Sequence, residues 1–324
     1  MVWLSWRLVR AQLIAVAALF LVLLVVLLYT GLHLRHLYTT SGITACEQAQ
    51  GDCGPLIDDF TARYPVLHSL SGLVIVLPVL LGAFWGSPLL ARELETGTHR
   101  IAWTQSVTRR RWLATKLGIG AVTVVVVSAA FTAAIGWWMS PLDTVQADRF
   151  NPGTFDARDL VPVAYALFAF ALGALVGAVI GRTLPAMAVT VLGFAATRLL
   201  IEHWLRPHFA TAQHIVTAAF RGDAGGGGVP AGAWVISERV VNAAGQTVTF
   251  RRDALRALCG LDHQSFFDRT GLQACAQRLG FHRISTIQPA HRFWSFQAIE
   301  AGLFVGLAGV FLTATIAYTR RRIT

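Results

Sequence analysis

Arg198 and Glu202 stand four residues apart inside an otherwise apolar run, and Glu300 sits at the head of another. Four residues is about one helical turn, so the first two can pair on one helical face. Ionisable groups in such runs mark substrate or ion pathways as a general rule, but a pair near an interface is most often structural. That is the preferred reading here, with a substrate contact as the alternative. His33 and His36 could ligate a metal, but no third ligand is in register and a polar cap on a span end accounts for them, so no metal site is expected. Cys46 with Cys53 and Cys259 with Cys275 could form two disulfides if all four share an oxidising compartment; four unrelated thiols is the other reading. The sole lysine, Lys116, is followed by Leu117, so there is no Gly-x-x-x-x-Gly-Lys-Ser/Thr phosphate loop. His-Glu-x-x-His and Gly-x-Ser-x-Gly are absent too. No catalytic residues are expected, and no cofactor is expected on this chain.

The composition explains where such residues must sit. Of 324 residues, 55% are apolar and 14% charged, which fits a polytopic membrane protein and not a soluble enzyme. The net charge of +10 is dispersed over span ends and one long loop, with no basic helix for a nucleic acid. Arginine outnumbers lysine 26 to 1, a mark of codon usage in a GC-rich genome and not of mechanism.

Six transmembrane helices are expected. Residues 1–12, with Trp3, Trp6, Arg7 and Arg10, read as an interfacial helix. Span one runs from Leu13 to Leu32, a charge-free stretch long enough, at about 1.5 Å per residue, for a core of about 30 Å. It is longer than a usual signal-peptide core, and no small-residue cleavage site follows it. Span two runs from Val66 to Trp85 and span three from Leu117 to Met139, ending at Ser140 and Pro141. Spans four and five divide Leu160 to His203 at a tight turn, Gly181 to Pro185. The loops after spans one and three are acidic, whereas the segment between spans two and three carries six basic residues against two acidic ones, so that side is cytoplasmic. Residues 13–203 thus hold five spans, and 293–324 the sixth with Arg320, Arg321 and Arg322 behind it, leaving both termini cytoplasmic. Residues 204–292 read as a small mixed α/β extracytoplasmic domain. In it Trp234–Val241 and Thr247–Phe250 are strands about a turn at Asn242–Gln246, Asp253–Cys259 and Leu272–Leu279 are short helices, and Gly225–Gly228 is a hinge.

Between spans two and three, Ser87 and Pro88 have the chemistry of a helix start and Gly97 that of a stop. The expectation is a separate helix of about two to three turns, too short and too charged to cross a bilayer and available to a partner. The block SPLLARELETGTHRIAWTQSVTRRRWLATKL, Ser87 to Leu117, together with QPAHRFWSFQAIEAGLF, Gln288 to Phe304, resembles the permease subunits of type-2 ATP-binding-cassette exporters, in a branch common in high-GC Gram-positive bacteria. The six-span layout agrees over the whole chain. The resemblance implies a permease homodimer or heterodimer in the bacterial cytoplasmic membrane, working with two cytosolic ATPase subunits that bind the ATP and Mg. It also implies a coupling helix within 87–98. Its candidate residues are Ser87, Pro88, Leu89, Leu90, Arg92, Glu93, Leu94, Glu95, Thr96, Gly97, Thr98 and His99. The long loop between spans five and six departs from the many type-2 exporters in which it is short. An apolar lining with few charges suits export of an amphipathic or lipid-like drug, peptide or lipid. A membrane-anchored sensor or resistance protein for an extracellular peptide is the alternative reading.

Overall fold

The computed structural model describes residues 21–22, 24–48, 53, 56–57, 59–60, 76–97, 108–145, 150, 152–219, 228–248 and 269–322. Helix α1 covers 24–40 and α2 is Ile43–Gln48. Helix α3 is helical from residue 76, widens into a π turn over Gly82–Gly86 and continues as Ser87–Glu95. Then come α4 (Arg109–Val145), the short α5 (Pro152–Phe155), α6 (Val161–Ile180) and α7 (Thr183–Leu200). Strands β1 (Gln213–Ala218) and β2 (Trp234–Val241), helix α8 (Arg269–Arg278), strand β3 (His282–Gln288) and helix α9 (Phe293–Arg322) complete the chain.

Four helical stretches among the described residues are long and apolar enough to cross a membrane: Arg111–Pro141, Val161–Ile180, Thr183–His208 and Ala290–Arg321. They match the expected spans three to six. The segments expected as span one, as the start of span two, as the interfacial helix and as the helix Asp253–Cys259 lie wholly or partly outside the described residues. Helix α6 is central: 61% of its apolar window is buried against 22–33% for the other three spans. Its side chains are apolar all round, as expected of a helix surrounded by protein. Gly181, at φ +66°, ends it in a left-handed cap, and α7 starts two residues later, so the turn falls where expected.

Two helix ends differ from expectation. Helix α4 does not stop at Ser140 and Pro141 but runs through Pro141 to Val145. Proline cannot donate to the carbonyl four residues back, that of Trp137. Arg35 from α1, at 3.1 Å, and the Ser140 hydroxyl, at 2.9 Å, donate to that carbonyl instead. Arg35 also lies 4.4 Å from the Trp137 ring centroid, which fixes α1 against the end of α4. The second difference is Ser87–Pro88. The helix is already running there, Gly86 has helical dihedrals, and no side chain caps it. The Ser87 amide reaches back five residues to the Gly82 carbonyl, so the π turn takes up the proline. The short helix is a continuation of α3 and not a separate surface helix. Its stop at Gly97, φ +69°, is as expected.

The close approach of α3 and α6 explains this continuity. Gly82 and Gly86 are spaced as Gly-x-x-x-Gly, and so are Gly173 and Gly177. A Cβ on Gly173 would lie 2.5 Å from the Gly82 carbonyl oxygen, and one on Gly177 would lie 2.4 Å from that of Ser87. The two backbones touch, and only glycine fits. Ser87 is buried beneath them, with its Oγ 2.8 Å from Thr190 Oγ1 of α7.

The segment between α7 and α9 holds a three-stranded antiparallel sheet in the order β1, β3, β2. Strand β2 and the turn at Asn242–Gln246 are as expected; Asn242 Oδ1 accepts from the amides of Ala244 and Gln246, and Gly245 has φ +76°. Of the expected strand Thr247–Phe250 the last two residues lie outside the described ones; Thr247 bridges Val241, and the Val248 amide donates to the Val240 carbonyl at 2.8 Å. The helix expected at Leu272–Leu279 is α8. Strands β1 and β3 were not foreseen, because each is short and its partner is distant in sequence. Gln288 Nε2 donates to the Ala210 carbonyl at 2.7 Å, tying the central strand to the end of span five.

Candidate functional site

Two polar constellations lie at opposite ends of α6. The first is a buried ionic cluster near the sheet. Pro152–Phe155 and the turn after it bring Asp156, 1% exposed, over the start of α6. Tyr165 of α6 and Glu300 of α9 are fully buried beside it. Beyond α7 the chain makes a π turn at Ile201–Leu205 and a short 3-10 turn at Arg206–His208. The wide turn aims Arg206 inward, 2% exposed, while Glu202 remains half-buried. Arg206 Nε donates to Glu300 Oε2 and Nη2 to Glu300 Oε1, both at 2.7 Å. It also donates to Asp156 and, at 3.2 Å, to the Tyr165 hydroxyl. The single Tyr165 hydroxyl proton goes to Glu300, and Asp156 Oδ1 lies 3.2 Å from the same oxygen. Arg198 pairs with Asp156 and, at 3.4 Å, with Glu202. Gln297 secures the frame, donating to the Phe155 carbonyl at 2.9 Å and accepting from the Val161 amide at 3.1 Å.

Two arginines thus bind three carboxylates and a phenol, with Asp156, Arg206, Glu300 and Tyr165 out of water and the Arg198–Glu202 pair partly exposed at the edge. Such pairing is what makes buried charge tolerable. Packing around them is aromatic: Arg206 lies 4.5 Å from the Phe155 ring centroid, and Phe150, Phe155, Phe293, Phe296 and Trp234 form a cluster alongside. The Arg198–Glu202 pair expected from sequence is present, but as one arm of this larger group, and Glu300 belongs to the same group. Asp156, Tyr165 and Arg206 were missed. For Arg206 a signal existed, since it follows Glu202 by the same four residues that separate Glu202 from Arg198. Asp156 and Tyr165 carried none.

The second constellation is the far end of α3. Arg92, Glu95 and Thr96 are exposed. Glu93 pairs with Lys116 of α4, and Lys116 lies 4.5 Å from the Trp112 ring centroid. Glu95 Oε2 accepts from the Thr183 amide at 3.0 Å and the Thr183 hydroxyl at 2.7 Å, capping the first turn of α7 from another helix. These hydrogen bonds, the hydroxyl's first, hold the Glu95 carboxyl below the usual glutamate range. Leu90 is buried with Leu113, Leu117, Ala174 and Ala178, and Leu89 packs against them. Pro88 is half-buried, as is Leu94, whose Cβ is the nearest atom to the open side of Gly181. The two glutamates expected to face a partner thus already have intrachain partners. Thr98 and His99 lie outside the described residues.

Cys46 and Cys53 are disulfide-bonded, Cα to Cα 5.8 Å. Cys275 is disulfide-bonded as well, and Cys259, the partner expected for it, lies outside the described residues. Among the described residues no group of three or more His, Cys, Asp or Glu side chains is placed to hold a metal.

Residues 17–206 match the model of a family described as ABC-2 membrane transporter related. No curated protein and no solved structure matches the chain.

Proposed function

The chain belongs to the ABC-2 membrane transporter-related family, and from that premise we propose that it is the six-span permease subunit of an ATP-binding-cassette exporter. Two copies, or one copy and a homologous permease, work with two cytosolic ATPase subunits. ATP binding closes the ATPases, their movement is received at the far end of α3, and the permeases pass from inward-facing to outward-releasing states. The substrate is amphipathic or lipid-like, in keeping with the pairing of Arg198, Arg206, Asp156 and Glu300 with one another among the described residues. Both termini and the end of α3 are cytoplasmic, and the sheet is extracytoplasmic.

One observation carries the coupling assignment: α3 is unbroken from residue 76 to its exposed end at Arg92–Thr96, and Glu95 joins that end to the start of α7. A push on Arg92 is transmitted along one helix into the glycine contact with α6 and across one carboxylate into span five. Because Glu93 and Glu95 already bind within the chain, Arg92 is the better residue to test. Arg92→Glu removes a cation from the docking face while leaving the intrachain contacts intact. Losing one member of a docked charge pair costs about 2–5 kcal/mol, so co-purification of the ATPase should fall tens of times or more. Thr183→Val, which cuts a hydrogen bond to Glu95, should retain the ATPase but stimulate its turnover less. Unchanged ATPase association and turnover in Arg92→Glu would remove the coupling assignment and leave a sensor as the better reading.

A further inference from the structure

Helices α4, α6 and α9 do not close on one another over their halves nearer the sheet. They leave a lateral groove of about 670 Å³. Its wall is apolar and mixes small side chains, among them Ala129, Ala133, Ala164 and Ala301, with Leu160 and Leu167. The polar residue Asp159 lies at its head with Trp294, which is 57% exposed. Gly136 also lines the groove, and a Cβ there would meet nothing within 4 Å. Thr132, on the α4 wall, is 6% exposed and its hydroxyl has no hydrogen-bond partner among the described residues. Thr123 and Ser128 of the same helix, by contrast, donate to the carbonyls four residues back.

The dimensions select the occupant. On α4 the lining runs from Val125 to Gly136 and on α9 from Trp294 to Val305, each about 16 Å at about 1.5 Å per residue. That is about the depth of one leaflet, half of a hydrocarbon core of about 30 Å. A spanning helix would run about twice that length and meet open wall along only half of it, whereas acyl chains match it. Water would find almost no hydrogen-bond partners on such a wall. Trp294 stands where tryptophan side chains meet the headgroup level.

We infer that the groove holds the acyl chains of one phospholipid from the leaflet on the sheet side, with its headgroup level with Trp294 and Asp159. The site is a property of the permease alone and does not depend on the transport cycle. The lipid fills the gap between α4, α6 and α9, and so completes a contact surface that these helices leave open.

The test uses the full-length chain in nanodiscs containing phosphatidylcholine with a diazirine near the end of one acyl chain. After illumination, the labelled peptides are mapped by mass spectrometry. Label should concentrate on Ala129, Ala133, Ala301 and Val305 relative to Ile299 and Leu303, which are exposed on the opposite face of α9. Gly136→Phe, whose side chain grows into open space, should abolish labelling of the groove and spare the other face. Ala301→Phe fills it from the opposite wall and should do the same, so a folding defect in one variant does not decide the result. Equal labelling of both faces, or labelling that survives in a folded filled variant, would reduce the groove to ordinary lipid contact and overturn the inference. Cysteines at position 129 that crosslink two copies would instead make it a subunit seam and overturn it as well.

Discussion

The two ends of α6 are held by opposite means. Towards α3, Gly173 and Gly177 meet Gly82 and the Ser87 carbonyl with no side chain between them. Towards the sheet, Tyr165 meets Arg206, Asp156 and Glu300. The first contact gains from atoms left out, since close backbones maximise dispersion where lipid offers no hydrophobic drive between helices. The second depends on every atom being present, because each buried charge is tolerable only with its partner. The difference teaches which changes each end can bear: additions damage the glycine contact, and deletions damage the ionic one.

The largest effect is expected at the ionic end. Arg206→Ala leaves Glu300 buried without its cation and Asp156 with only Arg198, a loss of about 3–5 kcal/mol. It should appear as a large fall in the thermal midpoint of the purified chain. The double variant Arg206→Met with Glu300→Leu removes both charges together and should recover most of that loss, since a buried pair replaced by apolar groups is often neutral. A double variant no better than the single one would show that charge compensation is not what holds this end together.

Next comes the glycine contact. Gly177→Ala puts a methyl 2.4 Å from the Ser87 oxygen and 3.4 Å from the Ala91 amide nitrogen, both backbone atoms of a packed helix. Alanine favours helix formation, but overpacking of about 1–3 kcal/mol outweighs that gain. The same change at Gly118, whose Cβ position is open, should cost nothing measurable in the same melt. Equal midpoints for the two alanine variants would break the contrast between the ends.

The smallest effect is at Glu95, which is exposed. Its carboxyl is held below the usual range, so the link to Thr183 is fully formed above the ordinary glutamate pKa and is lost as pH falls through the lowered value. Amide exchange over 181–187, corrected for intrinsic rate, should be slower in the wild type than in Glu95→Ala at neutral pH. The two should converge in acid. A difference that persists below the lowered value would mean that the carboxylate is not the link.

Much of the layout was open to reading in the chain. Hydropathy located the four long apolar helices among the described residues, and glycine located the turn at 181 and the stop at 97, because both signals act over a few residues. The paired Gly-x-x-x-Gly spacings at 82–86 and 173–177 were equally present, but spacing alone does not say which glycines face each other. The pair Arg198 and Glu202 was legible for the same local reason, being one turn apart.

What the sequence by itself determined is therefore what neighbours along the chain decide: a membrane protein with apolar spans, no ATPase loop of its own, and a polar segment after span two. Only the tertiary structure decided that Ser87 lies under a glycine contact and caps nothing, since Pro88 is accommodated by a π turn that packing against α6 makes worthwhile. Only it brought Arg206 to Glu300, 94 residues on, and turned Glu95 back onto Thr183. A charge buried from water is bound to take whichever partner the packed helices bring within reach, and that partner is fixed by how the helices pack, not by distance along the chain.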